Sequence, residues 1–270
     1  FQYHYICSLL HMAQTFYKYQ GTGNDFILFD NRSSFFNKTD KSLIARLCDR
    51  KFGIGADGLM LLEKHEQYDF KMVYFNSDGN ESSMCGNGGR CIVAFAFHLG
   101  IGGKKMEFEA IDGYHRALLI NDIVSIEMIP VNHIELYDTH VFMNTGSPHH
   151  VELVDNVSEI DVSNQGAKIR FGAPYFDEGT NVNFVSKKNT ESWCIRTYER
   201  GVENETLSCG TGVTAAALAL HKLGLVESKH VGLETQGGLL NVSFEEHSEG
   251  YNNIWLSGPA KFVFKGEVSW

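Results

Sequence analysis

The sequence predicts an α+β protein made of two pseudo-symmetric halves, each a mostly antiparallel sheet or barrel wrapped around a central buried helix. Three observations support this fold class. A cysteine-glycine motif occurs twice, each time followed by a helix-like stretch. Both stretches are apolar nearly all the way round, so each helix must be buried. Short strand-like segments separated by glycine turns surround each helix.

The duplication extends well beyond the motif itself. Residues 80–88 (NESSMCGNG) reappear as residues 204–212 (NETLSCGTG), and residues 99–101 match residues 223–225 at the same offset. The shared flanks and the shared glycine after each helix favour descent from one unit over chance recurrence. A second, shorter echo pairs residues 21–27 with residues 179–185.

The predicted elements follow from this pattern. Helices are expected at about residues 88–99 and 212–223, and strands include residues 70–75, 123–128, 169–171, 193–198 and 254–256. We predict a first half over residues 12–129 and a second over 130–258, with the boundary near Pro130. The last strand, about residues 259–268, is a candidate to join the first half. Residues 1–11 are expected to be an extension outside the fold, disordered or an artefact of the gene start, with Met12 the natural start.

Composition excludes several classes of function. The formal net charge of −10, with scattered Lys and Arg, offers no basic stripe for nucleic acid. No apolar run approaches the roughly 20 residues that span a bilayer. The six cysteines form no CxxC pair and stand without a secretion signal, which predicts reduced thiols, a cytoplasmic location and no structural metal site.

Chemistry is expected at the repeated cysteines, Cys85 and Cys209. Each stands before a helix N-terminus, where backbone N–H groups without intrahelical partners favour anions. Such a position should lower the pKa of a thiol toward neutrality, and it can also hold a substrate carboxylate. A single cysteine of this kind is usually inert and buried. Two at equivalent positions of a duplicated fold indicate a shared cleft.

Two facing thiols suit inversion at a carbon atom. A thiolate removes a proton from one face, and the opposing thiol delivers a proton to the other. Donors aimed at the α-carboxylate would stabilise the carbanionic transition state. This mechanism requires no cofactor.

At these residues the sequence resembles the diaminopimelate epimerase family, over almost all of residues 12–268. The resemblance rests on motifs that are specific in combination and order: Phe16-x-Lys18-x-x-Gly21-x-Gly23-Asn24-Asp25-Phe26, Asn76-x-Asp78-Gly79, Cys85-Gly86-Asn87-Gly88-x-Arg90-Cys91, Tyr198-Glu199-Arg200-Gly201 and Cys209-Gly210-Thr211-Gly212.

The resemblance implies a homodimeric enzyme that interconverts LL- and meso-diaminopimelate in lysine and cell-wall precursor synthesis, without pyridoxal phosphate. Cys85 and Cys209 would be its acid/base pair. The resemblance assigns substrate contacts to Asn24, Asn76, Asn181, Glu199 and Arg200, and carboxylate binding to the backbone of Gly86, Asn87, Gly210 and Thr211. It also places His149 and Glu199 beside the thiols. Of these, Arg200 has the clearest chemical reason, because guanidinium suits a second, distal carboxylate.

Two positions depart from the family pattern. Many members have glutamine where this chain has Gly58, so that polar contact must be lost or replaced. The usual asparagine before Pro148 is Ser147, which can still form hydrogen bonds. Both departures concern substrate detail more than reaction type.

Two rival readings stay open. Proline and hydroxyproline racemases resemble this architecture and also use two thiols, but they usually carry histidine where Asn87 stands. A non-catalytic metabolite-binding or redox-sensing protein could use Cys85 and Cys209 only as a switchable disulfide.

Overall fold

The computed structural model describes residues 13–82, 84–189 and 192–270. The extension expected at residues 1–11 lies outside them, as does Met12. The first part of the chain forms β1 Gln14–Gly21, β2 Asn24–Asp30, α1 Lys41–Cys48, β3 Gly58–Glu63, β4 Phe70–Asn76, β5 Glu81–Ser82, α2 Gly86–His98, β6 Lys105–Ala110, β7 Gly113–Ile120 and β8 Ile123–Met128. The rest forms β9 Ile134–Leu136, β10 His140–Asn144, β11 Pro148–Leu153, α3 Val162–Phe171, β12 Asn181–Lys187, β13 Trp193–Glu199, β14 Asn204–Thr206, α4 Gly210–Lys222, β15 His230–Thr235, β16 Gly238–His247, β17 Gly250–Pro259 and β18 Lys261–Val268.

Strand pairing repeats itself between the two parts of the chain. In the first part β2 is parallel to β3, β3 is antiparallel to β4, and β4 is parallel to β6. In the second, β11 is parallel to β12, β12 is antiparallel to β13, and β13 is parallel to β15. The predicted fold class, α+β with two mostly antiparallel halves, is therefore confirmed. No described helix is long and apolar enough to cross a membrane.

The halves are joined by pairings between strands that lie far apart in the sequence. The last strand, β18, pairs antiparallel with β1, the first strand of the described chain. Strand β8 pairs with β7 on one side and with β17 on the other. The division of the chain near Pro130 stays a prediction.

Each half packs its core around its repeated helix. Ile92, Phe95 and Ala96 of α2 are buried in one cluster, and Val213 and Leu218 of α4 are buried in another. Gly100 and Gly224 follow the helices with φ of 73° and 69°, a left-handed conformation that glycine adopts without strain. Both helices begin two residues earlier than predicted, because Cys85 and Cys209 are themselves the N-cap residues.

Two sequence expectations are wrong. Residues 169–171, predicted as a strand, form the end of α3, whose first turn is capped by the Asp161 carboxylate accepting from the Asn164 N–H at 3.1 Å. A run of three residues is too short to show helical periodicity.

The second echo, between residues 21–27 and residues 179–185, also pairs non-equivalent segments. By strand pairing, β12 corresponds to β3, and the β1–β2 turn corresponds to the β10–β11 turn, where Thr145-Gly146-Ser147 matches Thr22-Gly23-Asn24.

Candidate active site

The N-termini of α2 and α4 meet head to head at Gly86 and Gly210. A Cβ atom placed on Gly210 would lie 3.4 Å from the Gly86 Cα and 2.7 Å from Leu256 Cδ2. A side chain at either position would therefore have to displace the end of the Leu256 side chain. The free N–H groups of two first helical turns converge here, and such groups favour a shared anion.

A cysteine caps each helix at this junction. The Cys85 sulfur accepts a hydrogen bond from the Gly88 N–H at 3.2 Å. The Cys209 sulfur instead lies 3.4 Å from the Thr211 hydroxyl. Both thiols are free. The predicted catalytic pair is thus brought to one junction, with one hydrogen-bond donor beside each sulfur.

The prediction that these thiols have lowered pKa values is wrong. Burial raises the pKa of Cys85 to about 11, although the Gly88 N–H acts in the opposite direction. Burial likewise raises the pKa of Cys209 to about 12. Desolvation disfavours the charged form more than one helix terminus stabilises it. Both thiols consequently hold their protons at neutral pH.

Glu199 lies within electrostatic reach of both sulfurs. It stands at the end of β13, and its Oε2 accepts a hydrogen bond from the Thr206 hydroxyl at 2.9 Å. Burial raises the pKa of this carboxyl group. When ionised, its negative charge raises the pKa of Cys85 and of Cys209. It therefore disfavours the thiolate form of either cysteine.

His149 is neutral and held in one tautomer. It is fully buried, and burial together with the positive charge of Arg200 lowers its pKa to about 3. The Asn183 amide N–H₂ donates to the His150 carbonyl at 3.0 Å, which fixes its orientation, and it also faces His149 Nδ1 at 3.1 Å. Nδ1 is therefore an acceptor, and the ring proton sits on Nε2, 3.0 Å from the Ser147 hydroxyl oxygen.

With this tautomer, successive hydrogen bonds from His149 through Ser147 and Thr211 all donate toward the Cys209 sulfur. The Ser147 oxygen accepts from His149 and from the Asn181 amide at 3.1 Å. Its own proton is then free to point at the Thr211 hydroxyl, 3.4 Å away, and the Thr211 proton points at the Cys209 sulfur. Ser147 thus takes part in the site despite its departure from the family pattern.

Asn87 connects the two halves at the junction. Its amide N–H₂ donates to the Ser208 carbonyl at 3.0 Å and to Asn24 Oδ1 at 3.3 Å. The Asn24 amide in turn donates to Asp57 Oδ2 at 2.5 Å. These bonds tie the turn before Cys209 to the start of α2, so the positions of the two cysteines depend on each other.

Arg200 and Asn181 lie together at the rim. The Arg200 backbone N–H donates to Asn181 Oδ1 at 2.9 Å, and the guanidinium donates to the Glu178 carbonyl. The side chain is exposed, and it forms no ion pair with an acidic residue of the described chain. An arginine in this state is available to an anionic ligand.

Asn76 is the predicted site residue least connected to the others. It is exposed at the end of β4 and pairs with Gly58 across the sheet. A Cβ on Gly58 would lie 2.5 Å from Tyr74 Cε2 and 3.0 Å from the Tyr74 hydroxyl. The ring of Tyr74 therefore occupies the space of a side chain at position 58, and its hydroxyl forms no hydrogen bond within the described chain.

Several residues of the site were missed at the sequence level. Thr22 and Ser208 bond each other at 3.0 Å beside the junction, and Tyr74, Asn183 and Arg90 also contribute to it. Of these, Arg90 carried a usable signal, because a charged residue inside an apolar helix must be buried. Within the described residues, no group of three His, Cys, Asp or Glu side chains is placed to hold a metal ion.

The chain matches the family model described as diaminopimelate epimerase over residues 16–122 and 141–263. A diaminopimelate epimerase of Flavobacterium psychrophilum is 56% identical over 253 residues, which cover 93% of this chain and 99% of that protein. One of Chlorobaculum tepidum is 43% identical over 259 residues, covering 92% and 99%.

Solved structures with the same fold are more distant in sequence. A phenazine biosynthesis protein of the PhzF family from Bacillus anthracis gives a TM-score of 0.77 at 12% identity, covering 96% of this chain and 99% of that one. A hydroxyproline epimerase from Agrobacterium vitis gives 0.66 at 13% identity, covering 95% and 92%. These two show the fold alone. The family match and the two relatives show that this chain belongs to the diaminopimelate epimerase family.

Proposed function

We propose that this chain interconverts LL- and meso-diaminopimelate by a two-base mechanism in which Cys85 and Cys209 exchange the roles of acid and base. The observation that carries the proposal is the head-to-head meeting of two helices, each with a cysteine at its N-cap position, at Gly86 and Gly210. Family membership makes the chain an isomerase, and its place is in lysine and peptidoglycan precursor synthesis.

Substrate binding would begin with the α-carboxylate on the backbone N–H groups of Gly86, Asn87, Gly210 and Thr211. One cysteine, as thiolate, removes the α-proton, and the opposing thiol donates its proton to the other face of the carbon. The catalytic pair ends with the thiolate and the thiol exchanged, so the reverse reaction uses the same groups. A raised thiol pKa makes the thiolate a stronger base, which suits a weakly acidic α-proton.

The distal end of the substrate carries a second carboxylate and a second amino group. Arg200 would bind the carboxylate, with Asn24, Asn76 and Asn181 as polar neighbours. The exposed, unpaired state of the Arg200 guanidinium supports this assignment. Glu199 and His149 would act on the thiols, one through its charge and the other through the chain that ends at Thr211.

The decisive experiment follows hydrogen at the α-carbon. The protein is incubated in deuterated water with diaminopimelate, proline or lysine, and each product is analysed by mass spectrometry and chiral separation. We expect deuterium and inversion with diaminopimelate only. Inversion of proline would favour a proline racemase, and no exchange with any substrate would favour a sensor protein.

Tyr74 offers a replacement for the contact that Gly58 lacks. Its hydroxyl lies beside Gly58 and within electrostatic reach of Cys85 and Glu199. We predict that Tyr74→Phe raises KM for diaminopimelate about tenfold, the effect of losing one hydrogen bond of about 1.4 kcal/mol, with little change in kcat or in the unfolding temperature. Tyr68→Phe, on the surface of the same half, is the matched control. An unchanged KM would place the Tyr74 hydroxyl outside the substrate site.

The proposed assembly is a homodimer, with a cytoplasmic location. β18 pairs with no described strand other than β1, and it exposes Phe262, Val263 and Phe264 on both faces. An unpaired strand with exposed apolar side chains favours pairing with another chain. Antiparallel pairing of two copies centred on Phe264 would set Lys261 of one copy opposite Glu267 of the other.

We therefore predict that sedimentation velocity shows a dimer for the wild type and a monomer for Val263→Lys. The added charge would stand in the centre of the paired edge, where desolvation is costly. Ile120→Lys adds the same charge at an exposed position of β7 and serves as the control. A dimer that survives Val263→Lys, or that Ile120→Lys disrupts equally, would contradict an interface at β18.

A further inference from the structure

Arg90 is a fully buried cation without an anionic partner. It lies on α2, its side chain is 0% exposed, and it forms no ion pair with any carboxylate of the described chain. Burial lowers its pKa to about 10, so it stays charged at neutral pH. Burying an unpaired charge costs several kcal/mol, and a residue used only for packing would not need one.

The guanidinium is fixed at the junction of the two helices. It donates to the Gly86 carbonyl at 3.2 Å, to the Thr22 hydroxyl at 3.1 Å and to Asn87 Oδ1 at 2.9 Å. All of these acceptors are uncharged. Gly86 follows Cys85 and begins α2, so the positive charge is held in the first turn of α2, within electrostatic reach of that thiol.

The duplicated position in the other half carries no charge. Arg90 and Thr214 each stand five residues after their cysteine, and the Thr214 hydroxyl donates to the Gly210 carbonyl at 3.0 Å, as Arg90 does to Gly86. Thr214 is also fully buried. The two halves therefore repeat the hydrogen bond to the first helical carbonyl, but its donor is a cation in the first half and a neutral hydroxyl in the second.

Uncharged hydrogen-bond donors face both thiols. The Gly88 and Asn87 N–H groups act on Cys85, and the Thr211 hydroxyl and the Gly212 N–H act on Cys209. Glu199 on β13 acts on both with the same sign, and the thiols act on each other. Tyr74 on β4 and Cys91 on α2 also face Cys85 or Arg90, and both are uncharged at neutral pH. Among the cations near the junction, the exposed Arg200 acts on His149, whereas the buried Arg90 acts on Cys85.

We propose that Arg90 is a positioning residue that makes Cys85, and not Cys209, the thiol that ionises first. In the enzyme that has lost one thiol proton, Cys85 would then be the base and Cys209 the acid, and each turnover in one direction would reverse this order. The asymmetry would select which epimer this singly ionised enzyme accepts first. The inference rests on the proposed two-thiol function and adds to it the assignment of the first base.

The test measures thiolate formation at each cysteine without any substrate. The full chain is treated with iodoacetamide between pH 7 and 9.5, where Arg90 keeps most of its charge, and peptide mapping gives the alkylation rate at Cys85 and Cys209, each normalised to the rate of the same cysteine in the unfolded protein. Near pH 9, we expect the normalised rate at Cys85 to exceed that at Cys209 about tenfold, since an opposite charge nearby shifts a pKa by a unit or more. The proposal would be overturned if the alkylation rate at Cys209 rose at the same pH as the rate at Cys85, or at a lower pH.

Variants separate the charge of Arg90 from its packing. Arg90→Met should lower the normalised rate at Cys85 about tenfold and abolish the difference, Arg90→Lys should restore most of it, and Thr214→Val should leave it unchanged. Thermal unfolding checks each fold. If Arg90→Met does not fold, Arg90→Gln replaces it. Loss of the difference between the Cys85 and Cys209 rates in Arg90→Lys would also overturn the proposal. Absence of deuterium exchange would instead count against the proposed function, because alkylation requires no turnover.

Discussion

Cys85→Ala and Cys209→Ala should each lower kcat/KM for epimerisation of diaminopimelate by about 10³-fold, the scale of a lost general acid or base. Each turnover needs one thiol on each face of the α-carbon, so neither cysteine can substitute for the other. The loss should be equal in the two directions of the reaction. Chiral separation of the products over time measures it.

The alanine variants should keep their fold. Cys85 forms a cap bond to Gly88, and its loss is expected to cost about 1 kcal/mol. Circular dichroism and thermal unfolding test this. Cys194→Ala is the matched control, because Cys194 is a free, partly buried thiol on β13 outside the junction. Normal turnover in either Cys85→Ala or Cys209→Ala would contradict the two-base mechanism.

The two buried helices and their cysteines could be predicted from the sequence because the duplication lies in short, contiguous motifs. A cysteine, two glycines and an apolar helix recur at a fixed offset. A helix that is apolar all round must be buried, and the short strand-like segments beside each helix predict that sheet covers it. These features predicted α2, α4 and the pairing of Cys85 with Cys209 at one cleft. The meeting of Gly86 and Gly210 follows from the pseudo-symmetry that the repeat implies.

Properties that depend on packing could not be predicted in the same way. The helix N-terminus suggested acidic thiols, but the structure buries both, and burial outweighs the dipole. The match of residues 21–27 with residues 179–185 rested on similar residue types alone. Strand pairing reveals instead that Thr145-Gly146-Ser147 is the counterpart of Thr22-Gly23-Asn24. Tyr74 stands 16 positions after Gly58 in the chain, yet it fills the same space.

The series of hydrogen bonds from His149 to Cys209 is another feature that the sequence could not predict. Ser147, seen in the sequence only as a departure from the family pattern, turns out to accept two hydrogen bonds and to direct its own proton toward Thr211. This direction depends on the tautomer of His149, which is set by Asn183 from β12. No spacing rule in the sequence encodes such a contact between separate strands.

Mild oxidation of the ligand-free protein should join Cys85 to Cys209 and abolish epimerisation completely. The residues that follow the two cysteines are already in contact, since a Cβ on Gly210 would lie 3.4 Å from the Gly86 Cα. A disulfide requires Cα atoms within about 7 Å, a separation that this contact between the following residues favours. Two thiols would lose two protons and two electrons to a small disulfide oxidant. The product should be folded and inactive.

A thiol reductant should restore activity quickly, in contrast to damage that proceeds to sulfinic acid. A bound substrate analogue should prevent the reaction, because its carboxylate and α-carbon would separate the sulfurs. Peptide mapping of protein oxidised with and without the analogue measures both effects. Cys194→Ala should still form the link, whereas Cys209→Ala should not. Links that run only through Cys48, Cys91 or Cys194 would show that the two thiols do not share one cleft.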